Sequence, residues 1–263
     1  MIRNYIKVTL RNLFRNKIST FINLLGLSLG ISVCLLIFLL IDYELDFDGF
    51  HSRKDRIFRV VREEHGTSQV KHTPSTPFPL RDALAIDYPE LEAVAQIFPP
   101  GEYQLKQGSK VWLEPNVIFA DSSFFKVFDF PALEGNPRQS FKNPNVAVVT
   151  ESMARKRFGD GPVIGKTVNL SEDLDVEIVG IIKDPPKNSH LPFSMVVSMG
   201  SFSKEFVGGF DYNSWNVTLG FTDYVLLPVG LTREMFEQQL AVLPGKYLSA
   251  ENAKKTTYKL QPL

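Results

Sequence analysis

ISTFINLLGLSLGISVCLLIFLLI, residues 18–41, is an unbroken run of 24 residues without Asp, Glu, Lys, Arg or His. As a helix rising about 1.5 Å per residue it covers roughly 36 Å, enough to cross the hydrocarbon of a bilayer with some tilt. Its flanks differ in sign. Arg3, Lys7, Arg11, Arg15 and Lys17 precede it without an acid, and Asp42, Glu44, Asp46 and Asp48 follow it. The positive-inside bias then predicts a cytoplasmic N-terminus and an outer location for everything after Asp42. A cleaved signal peptide has a shorter apolar core and a small-x-small cleavage site, where this chain has Asp-Tyr-Glu-Leu-Asp. Inside the span, Gly26 and Gly30 form a GxxxG pair, with Asn23, Ser28 and Ser32 as polar groups that prefer a protein neighbour to lipid. Small residues let helix backbones approach, so this face is the expected place for packing on another membrane helix, although GxxxG alone is a weak signal.

Toward the N-terminus, residues 1–17 read as a basic amphipathic helix, with Arg3, Lys7, Arg11 and Arg15 at intervals of four. Such a segment lies at the inner leaflet with its cations on anionic headgroups, either as a topology anchor or as a coupling element for a cytoplasmic partner. Toward the C-terminus, residues 42–55 form a stalk or connection, with Tyr43 to Leu45 prolonging the helix. Residues 56–263 hold the folded domain.

The totals bound what that domain can be. A formal net charge of zero gives no electrostatic case for nucleic acid. The single Cys34 lies in the span, so neither an internal disulfide nor a cysteine zinc site is available. The core must hold by burial alone, and 21 Phe and 8 Tyr supply the area. After Ile41 no second run is long enough to cross a membrane.

Arg56 to Val61 reads as a strand by length and β-branched content. Thr76 is placed to cap a helix that carries Leu80, Leu84 and Tyr88 inward and ends before Pro89. Strands are expected at Ala93–Phe98 and Lys110–Phe119 with turn residues from Pro99 to Gly101 and at Gly108, then a short capped helix over Ser122–Phe128. Past Gly135, Val146–Val149 is a strand, and Thr150 caps a helix that Gly159 stops. Val168–Leu170 pairs with Val176–Ile182, Pro185, Pro186 and Asn188 turn the chain, and residues 202–216 form a loop. Thr218–Val229 is a long strand, Thr232 caps a helix carrying Phe236, Leu240 and Leu243, and Tyr258–Leu260 is the last strand. The class is α+β, and the recurrence of strand, helix, strand predicts two related halves around a middle insertion.

Little here points to catalysis. Residues 159–167, GDGPVIGKT, end like a phosphate-binding loop. However, Asp160 would aim negative charge at phosphate, and the segment follows a helix and leads into a strand, the reverse of that motif's setting. His51, His65, His72 and His190 show no ligand spacing and read as surface or turn histidines. Glu63 with Glu64, and Asp173 with Asp175, read as solvated charges. No catalytic residue, cofactor site or metal site is expected.

Five segments carry a family resemblance: KVTLRNLFRNKISTFINLLGLSLGIS (7–32), YELDFDGFHSRKDRIFRVV (43–61), FFKVFDFPALEGNP (124–137), VVTESMARKRFGDGPVIGKTVNL (148–170) and VEIVGIIKDPPKNSHLPFSM (176–195). Together they resemble the MacB-like periplasmic core domain with its preceding transmembrane helix, the N-terminal part of FtsX-like ABC transporter permeases. The resemblance implies a two-lobed α+β outer domain, one lobe from residues 56–130 and 217–263 and the other from 131–216. It implies structural roles for the motif residues Phe158, Gly159, Pro162, Gly165 and Lys166. It also implies a permease subunit that hydrolyses no ATP itself and transmits the work of a separate cytoplasmic ABC ATPase across a bacterial inner membrane. Further partners would be other permease helices or a second permease copy as a dimer, the lipid bilayer and other envelope proteins. The chain stops before the later membrane helices of such permeases, so it reads as their N-terminal portion. A membrane-anchored sensory or ligand-binding domain is the alternative, set against only 17 residues on the inner side.

Overall fold

The computed structural model describes residues 2–66 and 69–263, which fall into two units, Met1–Phe47 and Asp48–Leu263. The first contains helix α1 (Ile2–Arg15) and helix α2 (Lys17–Leu45). The expected prolongation of the helix through Leu45 is therefore present. No residue of α2 is buried within the chain. A helix apolar all round and covered by nothing is unlike the core helix of a globular protein. Ser28 donates to the Leu25 carbonyl at 3.0 Å and Ser32 to that of Ser28 at 2.8 Å, so both hydroxyls are satisfied by their own helix rather than awaiting a neighbour.

The second unit begins with β1 (Ile57–His65), β2 (Val70–Thr73) and α3 (Leu80–Asp87). A long hairpin follows, β3 (Ala93–Gln107) and β4 (Lys110–Ala120), then α4 (Phe124–Val127), β5 (Ala132–Gly135) and α5 (Pro137–Ser140). Next come β6 (Val146–Thr150), α6 (Glu151–Phe158), β7 (Thr167–Leu170), β8 (Leu174–Ile182) and β9 (Met195–Ser198). The chain closes with β10 (Thr222–Leu226), α7 (Arg233–Leu240), α8 (Leu243–Tyr247), α9 (Ala250–Lys255) and β11 (Thr256–Pro262).

These strands form one sheet in the order β11-β1-β10-β3-β4-β9-β6-β8-β5, with β2 beside β1. Strand β7 pairs with both β3 and β8. The path β3-β4-β9-β6-β8-β7 therefore closes on itself, and Leu105, Phe119, Val197, Val149, Ile178 and Val168, one from each strand, pack together inside it. Closure removes the free edges that this half would otherwise expose. At the other end, β11-β1-β10-β3 carries α3, α7 and α8 on one face, where Leu84, Tyr88, Phe236 and Leu240 cover Val60, Val225 and Leu260. The opposite face packs Ile57, Ala95 and Tyr224 against the phenylalanines of α4. Neighbouring strand residues pointing to opposite faces explain how Ile57 and Phe58 join different cores.

Several sequence expectations are corrected. Thr76 does not cap α3, which starts at Leu80; its hydroxyl instead donates to the Phe221 carbonyl at 2.9 Å. Residues Pro99 to Gly101 do not reverse the chain: β3 continues through them with register shifts against β4 between Phe98 and Tyr103. Pro has no N–H for a ladder, so a bulge accommodates it there. The short helix at 124–127 has no side-chain cap, and the Asp121 carboxylate accepts from the Ser123 N–H at 2.8 Å instead. The strand expected over Thr218–Val229 is confined to Thr222–Leu226.

Candidate functional site

Three of the segments that carry the family resemblance meet just after Phe47. Asp48 opens the second unit with φ of 54°, in the left-handed region that Asp tolerates better than most residues. Its N–H donates to the Asn188 carbonyl at 2.8 Å. Its buried carboxylate accepts from the Ser189 hydroxyl at 3.2 Å, the His190 N–H at 3.1 Å and His190 Nδ1 at 2.7 Å. His190 Nε2 lies 2.9 Å from the hydroxyl of Tyr224. Burial holds the Tyr224 phenol well above its usual range, so it stays a donor. The network thus assigns the Nδ1–H tautomer to His190, with Nε2 accepting from Tyr224. Burial alone would raise the Asp48 pKa, but the hydrogen bonds from the His190 ring and N–H and from the Ser189 hydroxyl prevail and hold it below the usual carboxylate range.

Three residues on, His51 is only 2% exposed. Its Nδ1 accepts from the Asp129 N–H at 3.0 Å, which puts the proton on Nε2, and Nε2 has no partner among the described residues. The ring is packed among Phe50, Phe128 and Phe130 at centroid distances of 3.9, 5.3 and 5.5 Å. Burial depresses its pKa to about 4, partly opposed by Asp48 and Asp129. The Asp129 carboxylate accepts from the Ser52 N–H at 2.8 Å and hydroxyl at 2.7 Å. Burial would raise its pKa, but these bonds outweigh it and lower it. Of the two expected surface or turn histidines, His51 is buried, whereas His190 lies partly exposed in a bend but is tied to Asp48 and Tyr224.

The Asp48-His190-Tyr224 chain has the order of a general-base relay but not its exit. The hydroxyl at its end belongs to a residue 2% exposed, packed in the core, where no substrate reaches it. The arrangement is a clamp: residues 48–52 are fastened to 128–130 and 188–190.

A second buried polar group lies under α3. Gln96 donates to Asp223 at 3.1 Å and to the Phe78 carbonyl at 3.1 Å, and Arg81 Nε pairs with Asp121 at 2.7 Å. Desolvation pushes the fully buried Asp223 up to about 8. Among the described residues no cluster has the makings of a metal site.

The glycine-rich stretch behaves as a turn. Gly159 ends α6 at φ 66°, its N–H donating to the Arg155 carbonyl at 3.1 Å. Gly165 sits at φ 83° and donates to Ile178 at 2.8 Å, and Ile178 returns a bond to the Lys166 carbonyl at 2.9 Å. Lys166 Nζ lies 5.2 Å from the Phe158 ring centroid, Phe158 meets Trp112 edge-on, and Arg157 covers Trp112 at 5.4 Å. Pro162 is exposed. With β7 following it, the segment presents no helix N-terminus to a phosphate. Gly26 and Gly30 lie one turn apart on α2, with open space where a Cβ would stand.

Solved structures share this architecture. The fold is similar to a domain of a putative permease protein from Porphyromonas gingivalis, with a TM-score of 0.69 at 20% identity over 81% of this chain and 92% of that one. It is also similar to the periplasmic region of MacB from Actinobacillus actinomycetemcomitans, with a TM-score of 0.55 at 13% identity over 78% of this chain and 88% of that one. The extracellular domain of the noncanonic ABC-type transporter YknZ from Gram-positive bacteria gives 0.53 at 14% over 78% and 99%. No curated protein matches the chain by sequence. The MacB-like periplasmic core domain family matches residues 20–242, and the chain belongs to it. Its role is accordingly transporter-associated, in the setting of ABC-type permeases.

Proposed function

We propose that this chain is the N-terminal portion of a permease subunit in an ABC-type efflux or mechanotransmission system, with no ATPase site of its own. In this reading α2 spans the bacterial inner membrane, α1 lies at the cytoplasmic leaflet near a separate ATPase, and residues 48–263 work on the periplasmic side. The supporting observation is that the family match starts at residue 20, within the apolar helix, and continues through the sheet domain. Helix and domain thus belong to one unit of inheritance.

The two-lobe division belongs to the same proposal, with residues 56–130 and 217–263 as one lobe and 131–216 as the other. Phe158, Gly159, Pro162, Gly165 and Lys166 then shape a turn on the second lobe rather than bind a ligand. The Gly26 and Gly30 face would receive another permease helix or a second copy. The clamp at Asp48 supports a mechanical role, since it fastens the start of the domain to a loop far along the chain.

Cysteine accessibility tests the topology. In a Cys34→Ser background, single cysteines replacing Lys7 and Lys187 are probed in intact cells with a membrane-impermeant maleimide. Labelling at 187 and protection at 7 are expected, and the opposite pattern overturns the reading. Co-purification of an ATPase with the full permease in detergent tests the coupling.

A further inference from the structure

At the His65 end of β1, away from the Asp48 clamp, a cleft of about 540 Å³ opens between the β1-β2 hairpin and α9. That is the size of ordinary small-molecule sites. Its wall carries three permanent cations, Arg62, Lys71 and Lys255, against one lining carboxylate, Glu64. Arg62 pairs with Glu64 at 2.5 Å, yet its buried Nε has no partner among the described residues. The rest of the guanidinium, partly exposed, still adds positive charge to the wall of the cleft. Lys255 is held by Glu251 at 2.6 Å, an exposed pair that a ligand displaces readily, and Lys71 has no counter-ion among the described residues.

The rest of the lining suits a sugar. Trp215 is fixed by stacking on Tyr247, centroids 4.5 Å apart and 16° from parallel. Beside it, Asn252 donates to Asn216 at 3.3 Å, which leaves amide groups of both for hydroxyls. An indole platform flanked by amides and cations recognises a pyranose ring by its apolar face and its acid by charge. We infer that this cleft binds a small saccharide bearing a carboxylate or phosphate, a site distinct from the clamp and independent of the permease reading.

The chain has two tryptophans, so Trp112→Phe leaves Trp215 as the reporter. Full-length Trp112→Phe protein in a sugar-free detergent is titrated with galacturonate, glucose 6-phosphate and neutral galactose, following indole emission. A saturable change is expected with at least one anionic sugar, about tenfold tighter than with galactose, and weakened about tenfold by Lys71→Gln and by Arg62→Met. Lys71 is exposed, so Lys71→Gln keeps the Tm and remains informative if Arg62→Met does not fold. No saturable response to either acid up to about 10 mM, equal binding of galactose, or binding indifferent to the substitutions overturns the inference.

Discussion

Replacing Asp48 by Ala strands three donors that its carboxylate now receives and places an alanine at positive φ. A destabilisation of about 3 kcal/mol is expected in urea unfolding, against about 1 kcal/mol for Asp48→Asn, which keeps an acceptor oxygen and tolerates the backbone. His51 sets a pH dependence. Its folded pKa of about 4 lies below the usual 6.5, so the unfolded chain takes the proton first. Its contribution is complete above pH 6.5 and falls away as the pH drops toward 4, by on the order of 3 kcal/mol. His51→Gln should flatten that limb of the stability curve. Asp223 acts with the opposite sign. Its raised pKa, about 8, means the folded domain keeps a proton that the unfolded chain releases near 3.8. Stability is therefore lost as pH rises through this window, and Asp223→Asn should be more stable than wild type at pH 8 by on the order of 2 kcal/mol, with little gain at pH 4. Neither group was legible as special in the sequence. His51, His190 and Asp223 owe their settings to partners from 34 to 142 positions away, and no local spacing encodes such pairings. The available signal was that the quoted family segments, DGFHS, FDF and NSHLPF among them, contain the residues that meet.

Elements whose limits depend on neighbouring residues are legible in the sequence. Thr150 and Thr232 cap α6 and α7 by accepting from Met153 and Met235, and Gly159 stops α6, because caps are settled within one turn. Where a distant group intervenes, local sequence does not set the limit. Thr76 is drawn to Phe221, and Pro99 to Gly101 are carried straight through by pairing with β4. Short β2, β5 and β9 and helix α9 gave no separate signal, since four to six residues show little periodicity. The glycine turn offers a test at this scale. Gly159→Ala and Gly165→Ala force an L side chain into positive φ and should each cost about 1 kcal/mol, whereas Gly161→Ala, without positive φ, should be near neutral. Equal tolerance at all three in thermal unfolding would remove the turn argument.

For the molecule as a whole, the apolar rod and the α+β domain follow from composition and charge, while the closure of β3 through β7 does not. A ring of six strands depends on pairings such as Leu105 with Leu170, which no sequence period announces. A chain begun at Asp48 should be soluble and folded, because the second unit carries its own cores. Begun at Ile57 it loses the clamp, and about 3 kcal/mol or more of stability should go with it in denaturant titration. The clamp also fixes where a pull is felt. On the proposed mechanical role, a tug along the backbone at residue 48 would be shared between the Asp48 carboxylate, bonded to residues 189 and 190, and the Asp48 N–H, bonded to Asn188, at the start of the segment leading into β9. Strand β1, next in the chain, would then be loaded only once that knot gave way. On the same proposed role, the closed ring of strands would be the lever arm, and the knot would decide whether it turns as a body or merely pays out thread.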